Sequence, residues 1–162
     1  MLIINFKNYK ESIGENLLRL LDAIKKFSEL YPEKSKNIYI SPAIPEVVYA
    51  ESKYPDLTFI SQHVDTNNEL NSTCFITPDA LLNNGINCSI YNHSEHRVFS
   101  ENIIEDIRSI QASGLKLIVC CENIDEAKII LEANPYAIAF EPKELIGSGV
   151  AVTNKSLEVE EF

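Results

Sequence analysis

The stretch LKLIVCCENIDEAKIILEANPYAIAFEP, residues 115–142, contains two short apolar runs, LKLIVCC (115–121) and AIAFE (137–141), separated by NIDEAKIILEAN (123–134). Neither run alternates polar with apolar residues, so each must bury both faces. This is the mark of a strand inside a covered sheet. The segment between them is amphipathic and long enough for a helix. A parallel pair of strands needs a crossover of about a dozen residues, with helices covering the faces of the sheet, and this stretch supplies one such strand–helix–strand unit. The expected fold class is therefore α/β with a parallel sheet.

The same alternation extends through the rest of the chain. Further strand-like runs are LIINF (2–6), NIYIS (37–41), LTFIS (57–61) and CSIY (88–91), which brings the total to six. Amphipathic segments lie between them at 14–31, 45–54, 78–85 and 101–114. In the first of these, Leu17, Leu18, Leu21, Ile24 and Phe27 are predicted on one helical face, with Lys25, Lys26 and Glu29 turned outward. Gly85 and Gly114 stand where helices should end, and Pro45, Pro78 and Pro142 where loops or first turns tolerate proline. With no linker or low-complexity segment in between, residues 1–162 are expected to form a single domain.

Composition excludes several classes. A net charge of −10 with scattered basic residues argues against nucleic acid as a partner, because phosphate backbones are bound by clustered Lys and Arg. No apolar run approaches the roughly 18 residues of a membrane span, and the start MLIINFK lacks the pattern of a secretory signal, so a cytoplasmic protein is expected. Cys74, Cys88, Cys120 and Cys121 have no CxxC spacing, and they read as free thiols, three of them in or beside apolar runs.

In parallel α/β folds, function gathers at the carboxyl ends of the strands. Asn5 and Lys7 follow the first run, Gln62 and His63 the third, and Asn92, His93 and Glu95 the fourth, while Glu141 ends the sixth and leads into PKELIGSG. His93 and His96 have the spacing of an H-x-x-H pair, but no third ligand is evident and no metal is expected.

Taken in order and spacing, NFKNYK (5–10), NHSEHR (92–97) and EPKELIGSG (141–149) resemble the triosephosphate isomerase family, in particular its short archaeal form. SQHVD (61–65) and VCCEN (119–123) fit the same pattern. The resemblance implies a (β/α)8 TIM barrel, of which this chain would cover about six β/α units. It also implies cofactor-free interconversion of dihydroxyacetone phosphate and D-glyceraldehyde 3-phosphate in glycolysis and gluconeogenesis, by a homo-oligomer, dimer or tetramer, acting on a small phosphorylated triose.

The resemblance assigns roles as well. Glu141 would be the base that moves a proton between neighbouring carbons through an enediolate, made stronger by shielding from water. His93 would polarise the carbonyl as a neutral imidazole, facing the N-terminus of a helix expected to begin just after it. The pairing of a glutamate base with a neutral histidine is the family's established chemistry. Lys7 would supply positive charge for phosphate and enediolate, Glu95 would hold Lys7, and Asn5, read as pointing to the same side of the first strand as Lys7, would donate a hydrogen bond to substrate. Segment 142–149, with Leu145, Ile146, Gly147, Ser148 and Gly149, would be a lid that brings backbone N–H groups to the phosphate, so Ile146, Gly147 and Ser148 join the substrate-binding set.

Two departures from the family pattern stand out. The loop TNNELNST (66–73) resembles the family's subunit-contact loop, but Cys74 stands where glycine is usual, and cysteine does not tolerate a positive φ as glycine does. Six strands also do not close an eight-stranded barrel. The 162 residues alone are therefore expected to associate or fold incompletely with negligible activity, and the alternative reading is an inactive open α/β remnant that acts only by association with another chain.

Overall fold

In the computed structural model, residues 1–66 and 71–141 are described, and they fall into two compact units, Met1–Ser89 and one beginning at Ile90. The first unit opens with β1 (Leu2–Asn5), a 3-10 turn at Lys10–Ser12, α1 (Glu15–Leu30) and α2 (Pro32–Ser35). It continues with β2 (Ile38–Ser41), α3 (Ile44–Lys53) and α4 (Pro78–Leu82). The chain passes into the second unit within β3 (Cys88–Tyr91), which is followed by α5 (Ile103–Ala112), β4 (Lys116–Cys121), α6 (Ile124–Leu131) and β5 (Ala137–Phe140).

β1 and β2 pair in parallel with Asn5 opposite Ser41, as continuous apolar runs joined by a helix require. The run 57–61 differs from its reading as a full strand. It makes only two parallel bridges, Phe59 to Ile40 and Ser61 to Ser89. Its hydrogen bonds explain this, since Ile60 N–H donates to the Ile40 carbonyl while Ser61 N–H donates to that of Cys88. The segment changes partner within two residues, so neither neighbour builds a ladder on it.

Helix α1 buries Leu17 and Leu21 fully, with Leu18 and Ile24 half-buried, but Phe27 is exposed and packs its ring 5.1 Å from that of Tyr31. At about 100° per residue, Phe27 lies about 80° around the helix from Leu17, outside the core stripe. Gly14, at φ 59°, provides no side-chain cap for α1, and its N–H donates to Glu46 Oε1 of α3 instead.

In the second unit the strand order is β3–β4–β5, and β5 runs parallel to β4 with Cys121 opposite Phe140. The core consists of Ile90 and Tyr91 of β3, Leu117–Cys121 of β4, Ile107 and Ile110 of α5, and Ala127 and Ile130 of α6. Helices α5 and α6 begin at asparagine caps, Asn102 accepting from Glu105 N–H and Asn123 from Glu126 N–H. Gly85 and Gly114 follow α4 and α5 at φ 82° and 96°, the left-handed geometry that ends a helix. All four cysteines are free, with Cys74 exposed and the other three buried. Among the described residues no helix is long and apolar enough to cross a membrane.

Candidate active site

In the first unit the structure brings Asn5 and Lys7 together through a turn. β1 ends at Asn5, and Lys7 adopts φ 49°, a left-handed conformation uncommon for a side chain of its size. The alternation of strand side chains thus does not reach Lys7, contrary to the reading of both residues on one strand face. Instead Asn5 Oδ1 accepts the Lys7 N–H at 2.9 Å. Gln62 clamps the turn, its Nε2 donating to Asn5 Oδ1 at 3.3 Å and to the Lys7 carbonyl at 3.2 Å. With Oδ1 taken by two donors, Asn5 keeps its own amide N–H groups for donation.

In the second unit the structure brings His93, Glu95 and Glu141 together. His93 Nε2 lies 3.1 Å from Glu141 Oε1, and both side chains are largely buried. Nδ1 accepts the backbone N–H of Glu95 at 3.1 Å. A ring nitrogen that accepts carries no proton, so the ring is the neutral Nε2–H tautomer and Nε2 donates to Glu141. The donor to Nδ1 comes from a turn and not from the helix expected directly after His93. The His96 N–H closes that turn on the His93 carbonyl, and α5 begins only at Ile103. Glu95 is half exposed, with Oε2 3.8 Å from Nδ1.

Glu141 is placed by its own N–H, which donates to the Cys121 carbonyl, and its Oε2 accepts the Ser94 N–H at 3.2 Å. Burial, the largest single influence, raises its pKa, but the hydrogen bonds from His93 and Ser94 act against burial, and it lies below the ordinary carboxylate value. Burial alone acts in the direction expected of a shielded base. In this arrangement the carboxylate is held as the anion. Beside it, burial and then the Glu141 charge push the Cys120 thiol up, far from ionisation at neutral pH.

Residues around His93 complete the site. Asn92, buried and at φ 59°, donates through Nδ2 to the Cys120 carbonyl and to Glu126 Oε1, and accepts the Val98 N–H. Glu126 also receives Arg97 and the Glu122 N–H. Sequence reasoning missed Ser94, Cys120 and Glu126 as site neighbours. The Asn123-x-x-Glu126 spacing of a helix cap was the signal that could have drawn attention to Glu126. Among the described residues no group of three or more His, Cys, Asp or Glu could hold a metal ion. The lid segment with Leu145, Ile146, Gly147, Ser148 and Gly149 lies outside the described residues.

The sequence matches the family model described as Triosephosphate isomerase over residues 1–161. Proteins named triosephosphate isomerase share 35% identity with it in Thermoplasma volcanium, over 97% of this chain and 70% of that protein. The corresponding protein of Methanobacterium bryantii shares 34%, over 99% of this chain and 70% of its own length. That of Methanocaldococcus jannaschii shares 32%, over 99% and 72%.

Proposed function

Because this chain belongs to the triosephosphate isomerase family, of TIM-barrel α/β type, we propose that His93 and Glu141 are the residues through which it serves the family's reaction, the interconversion of dihydroxyacetone phosphate and D-glyceraldehyde 3-phosphate. The observation that carries this assignment is the 3.1 Å approach of His93 Nε2 to Glu141 Oε1, with Nδ1 already occupied as an acceptor.

Neutral His93 donates through Nε2 to the substrate carbonyl oxygen and stabilises the enediolate as it forms. Glu141 removes the proton from one carbon and returns it to the neighbouring one. In the arrangement described above the two groups bond to each other. A substrate oxygen that takes over the Nε2–H relieves Glu141 of its main stabilising partner, and the carboxylate then gains basicity under burial. Lys7 supplies positive charge to the phosphate and the developing oxyanion in a chain of net charge −10, Asn5 donates its amide, and Glu95 orients Lys7. Ile146, Gly147 and Ser148 close over the phosphate.

The wider reading is of a single incomplete barrel domain over residues 1–162, supported by a family match over residues 1–161. We assign it to a cytoplasmic homo-oligomer. Four free thiols support the reducing compartment, and half-exposed Phe75 beside exposed Cys74 supports a contact through that loop.

In a preparation that turns over triose phosphate, Glu141→Gln is expected to lower kcat by about 10²–10⁴-fold with KM little changed, because the base acts in the transition state. His93→Ala should also lower kcat strongly. Wild-type turnover in either variant would overturn the assignment.

A further inference from the structure

Glu126 sits on α6, a helix that carries none of the residues assigned to the reaction, yet three donors converge on its carboxylate. Asn92 Nδ2 and Arg97 Nη2 both reach Oε1, and the Glu122 N–H reaches Oε2 at 2.8 Å. Asn92 and Arg97 flank His93, one residue before it and four after. The loop between them is closed at its base where Asn92 Oδ1 accepts the Val98 N–H at 3.0 Å. The same asparagine anchors the loop to the carboxyl end of β4 through the Cys120 carbonyl. Glu141 is fixed to that same strand end through the Cys121 carbonyl. Base and electrophile therefore share one frame, the end of β4, and Glu126 is the side chain that bolts the His93 loop to it.

We propose that Glu126 is a positioning residue for His93, holding the ring in the register and tautomer that meet Glu141 and the substrate. This role rests on the assignment of the chemistry to His93 and Glu141. Only an ionised carboxylate suits the place, because all the groups that face its two oxygens are donors and the carboxylate is an acceptor at both. Glutamine would turn an amide NH₂ toward Asn92 and Arg97 or toward the Glu122 N–H, and it would leave the one-third-exposed Arg97 without its counter-charge. The isosteric change should therefore disturb the loop although it removes no volume. Neighbouring Asp125 provides the control, since its carboxylate is 91% exposed and pairs with Lys128 at 3.4 Å.

The test combines steady-state kinetics with ¹⁵N NMR of the His93 ring in wild type, Glu126→Gln, Asp125→Asn and Glu141→Gln. Wild type and Asp125→Asn should show the single Nε2–H tautomer. Glu126→Gln should show a mixture of tautomers and a kcat lowered about 10–100-fold, with KM within about threefold, as misplacement of a reacting group by about 1 Å would give. A wild-type ring spectrum with wild-type kcat in Glu126→Gln overturns the role. So does a loss of activity that follows a lowered melting temperature while the ring spectrum of the folded protein is unchanged. Failure of the underlying assignment looks different: there Glu141→Gln leaves turnover intact, while the ring spectrum of Glu126→Gln still reports whether Glu126 holds His93.

Discussion

Apart from Glu141, two short segments carry the candidate chemistry, residues 5–7 and residues 92–98, and they are held in different ways. Each contains a non-glycine residue at positive φ, Lys7 at 49° and Asn92 at 59°. In the first segment the strained residue is itself the functional one, and a neutral amide, Gln62, clamps it. In the second the strained residue precedes the functional one, and a charged network ties it to a strand end. Such conformations cost on the order of 1–3 kcal/mol and persist only where their surroundings over-determine them. The comparison teaches that the chain fixes its electrophile by ionic links and its cation by a backbone turn, so the two segments should respond differently to loss of a partner.

The largest expected effect is that of Glu141→Gln, which removes the base from the second segment's frame and takes kcat down by about 10²–10⁴-fold. Gln62→Ala tests the first segment. It removes three neutral hydrogen bonds, to Asn5 Oδ1 and to the Lys7 and Ser41 carbonyls, of about 1 kcal/mol each at most, loosening the turn that presents Lys7. Because Lys7 serves substrate binding as well as the transition state, the expected outcome is a rise in KM of about tenfold with a smaller fall in kcat. Steady-state kinetics on both variants decides the matter: if Gln62→Ala matched Glu141→Gln in kcat, the distinction between a charged frame and a neutral clamp would be lost.

Acid sharpens the contrast. The Asn5–Gln62 clamp has no titrating group, whereas Glu141 is held below its ordinary pKa by His93 and the Ser94 N–H against the opposing effect of burial. Between the lowered folded value and the ordinary one, the unfolded chain binds more protons at Glu141 than the folded chain does. Its contribution to stability is thus present above the ordinary carboxylate range and is lost as pH falls through the lowered value. Urea unfolding across that range should show the wild type losing stability more steeply than Glu141→Gln, while Gln62→Ala keeps the wild-type slope. Equal slopes for wild type and Glu141→Gln would mean that the His93 contact does not bias the carboxylate.

Much of this was legible in the sequence. Continuous apolar runs separated by amphipathic segments place β1 to β5 within a residue or two, and within the second unit the polar residues just beyond β3 and β5 bring His93 and Glu141 together. What escaped was set by partners distant in sequence or by turn chemistry. The strand period was carried on to Lys7, where an Asn5 side chain instead captures the Lys7 N–H and reverses the sign of φ. The helix expected just after His93 begins only at Ile103, and a single turn supplies the N–H that reaches the ring. Phe27 falls on the face of Leu17 only if the helical period is stretched over ten residues, and it is exposed. The basicity of Glu141 could not be read, since it depends on His93 and Ser94, nearly fifty residues earlier.

The smallest expected effect concerns a third residue of the same backbone class. Cys74 is exposed and sits at φ 70°, so the cysteine takes up the conformation that glycine adopts at little cost. A left-handed conformation costs an ordinary residue about 1–2 kcal/mol, and glycine removes that cost. Glycine also gives the unfolded chain more freedom, worth about 0.4–1 kcal/mol against the folded state. The net for Cys74→Gly is a gain between about zero and about 1.6 kcal/mol, each 1 kcal/mol being worth about 2–4 °C in melting temperature for a chain of this size. Asn92→Gly relieves the same kind of strain but deletes a buried side chain that bonds the Cys120 carbonyl, Glu126 and the Val98 N–H, so it should destabilise by about 1–3 kcal/mol. Calorimetry on the two variants reads the difference in sign. Were Cys74→Gly to lower the melting temperature as well, the Cys74 side chain would have to hold its loop as firmly as Asn92 holds the loop of His93, and positive φ at residue 74 would be a supported feature of the fold rather than a tolerated one.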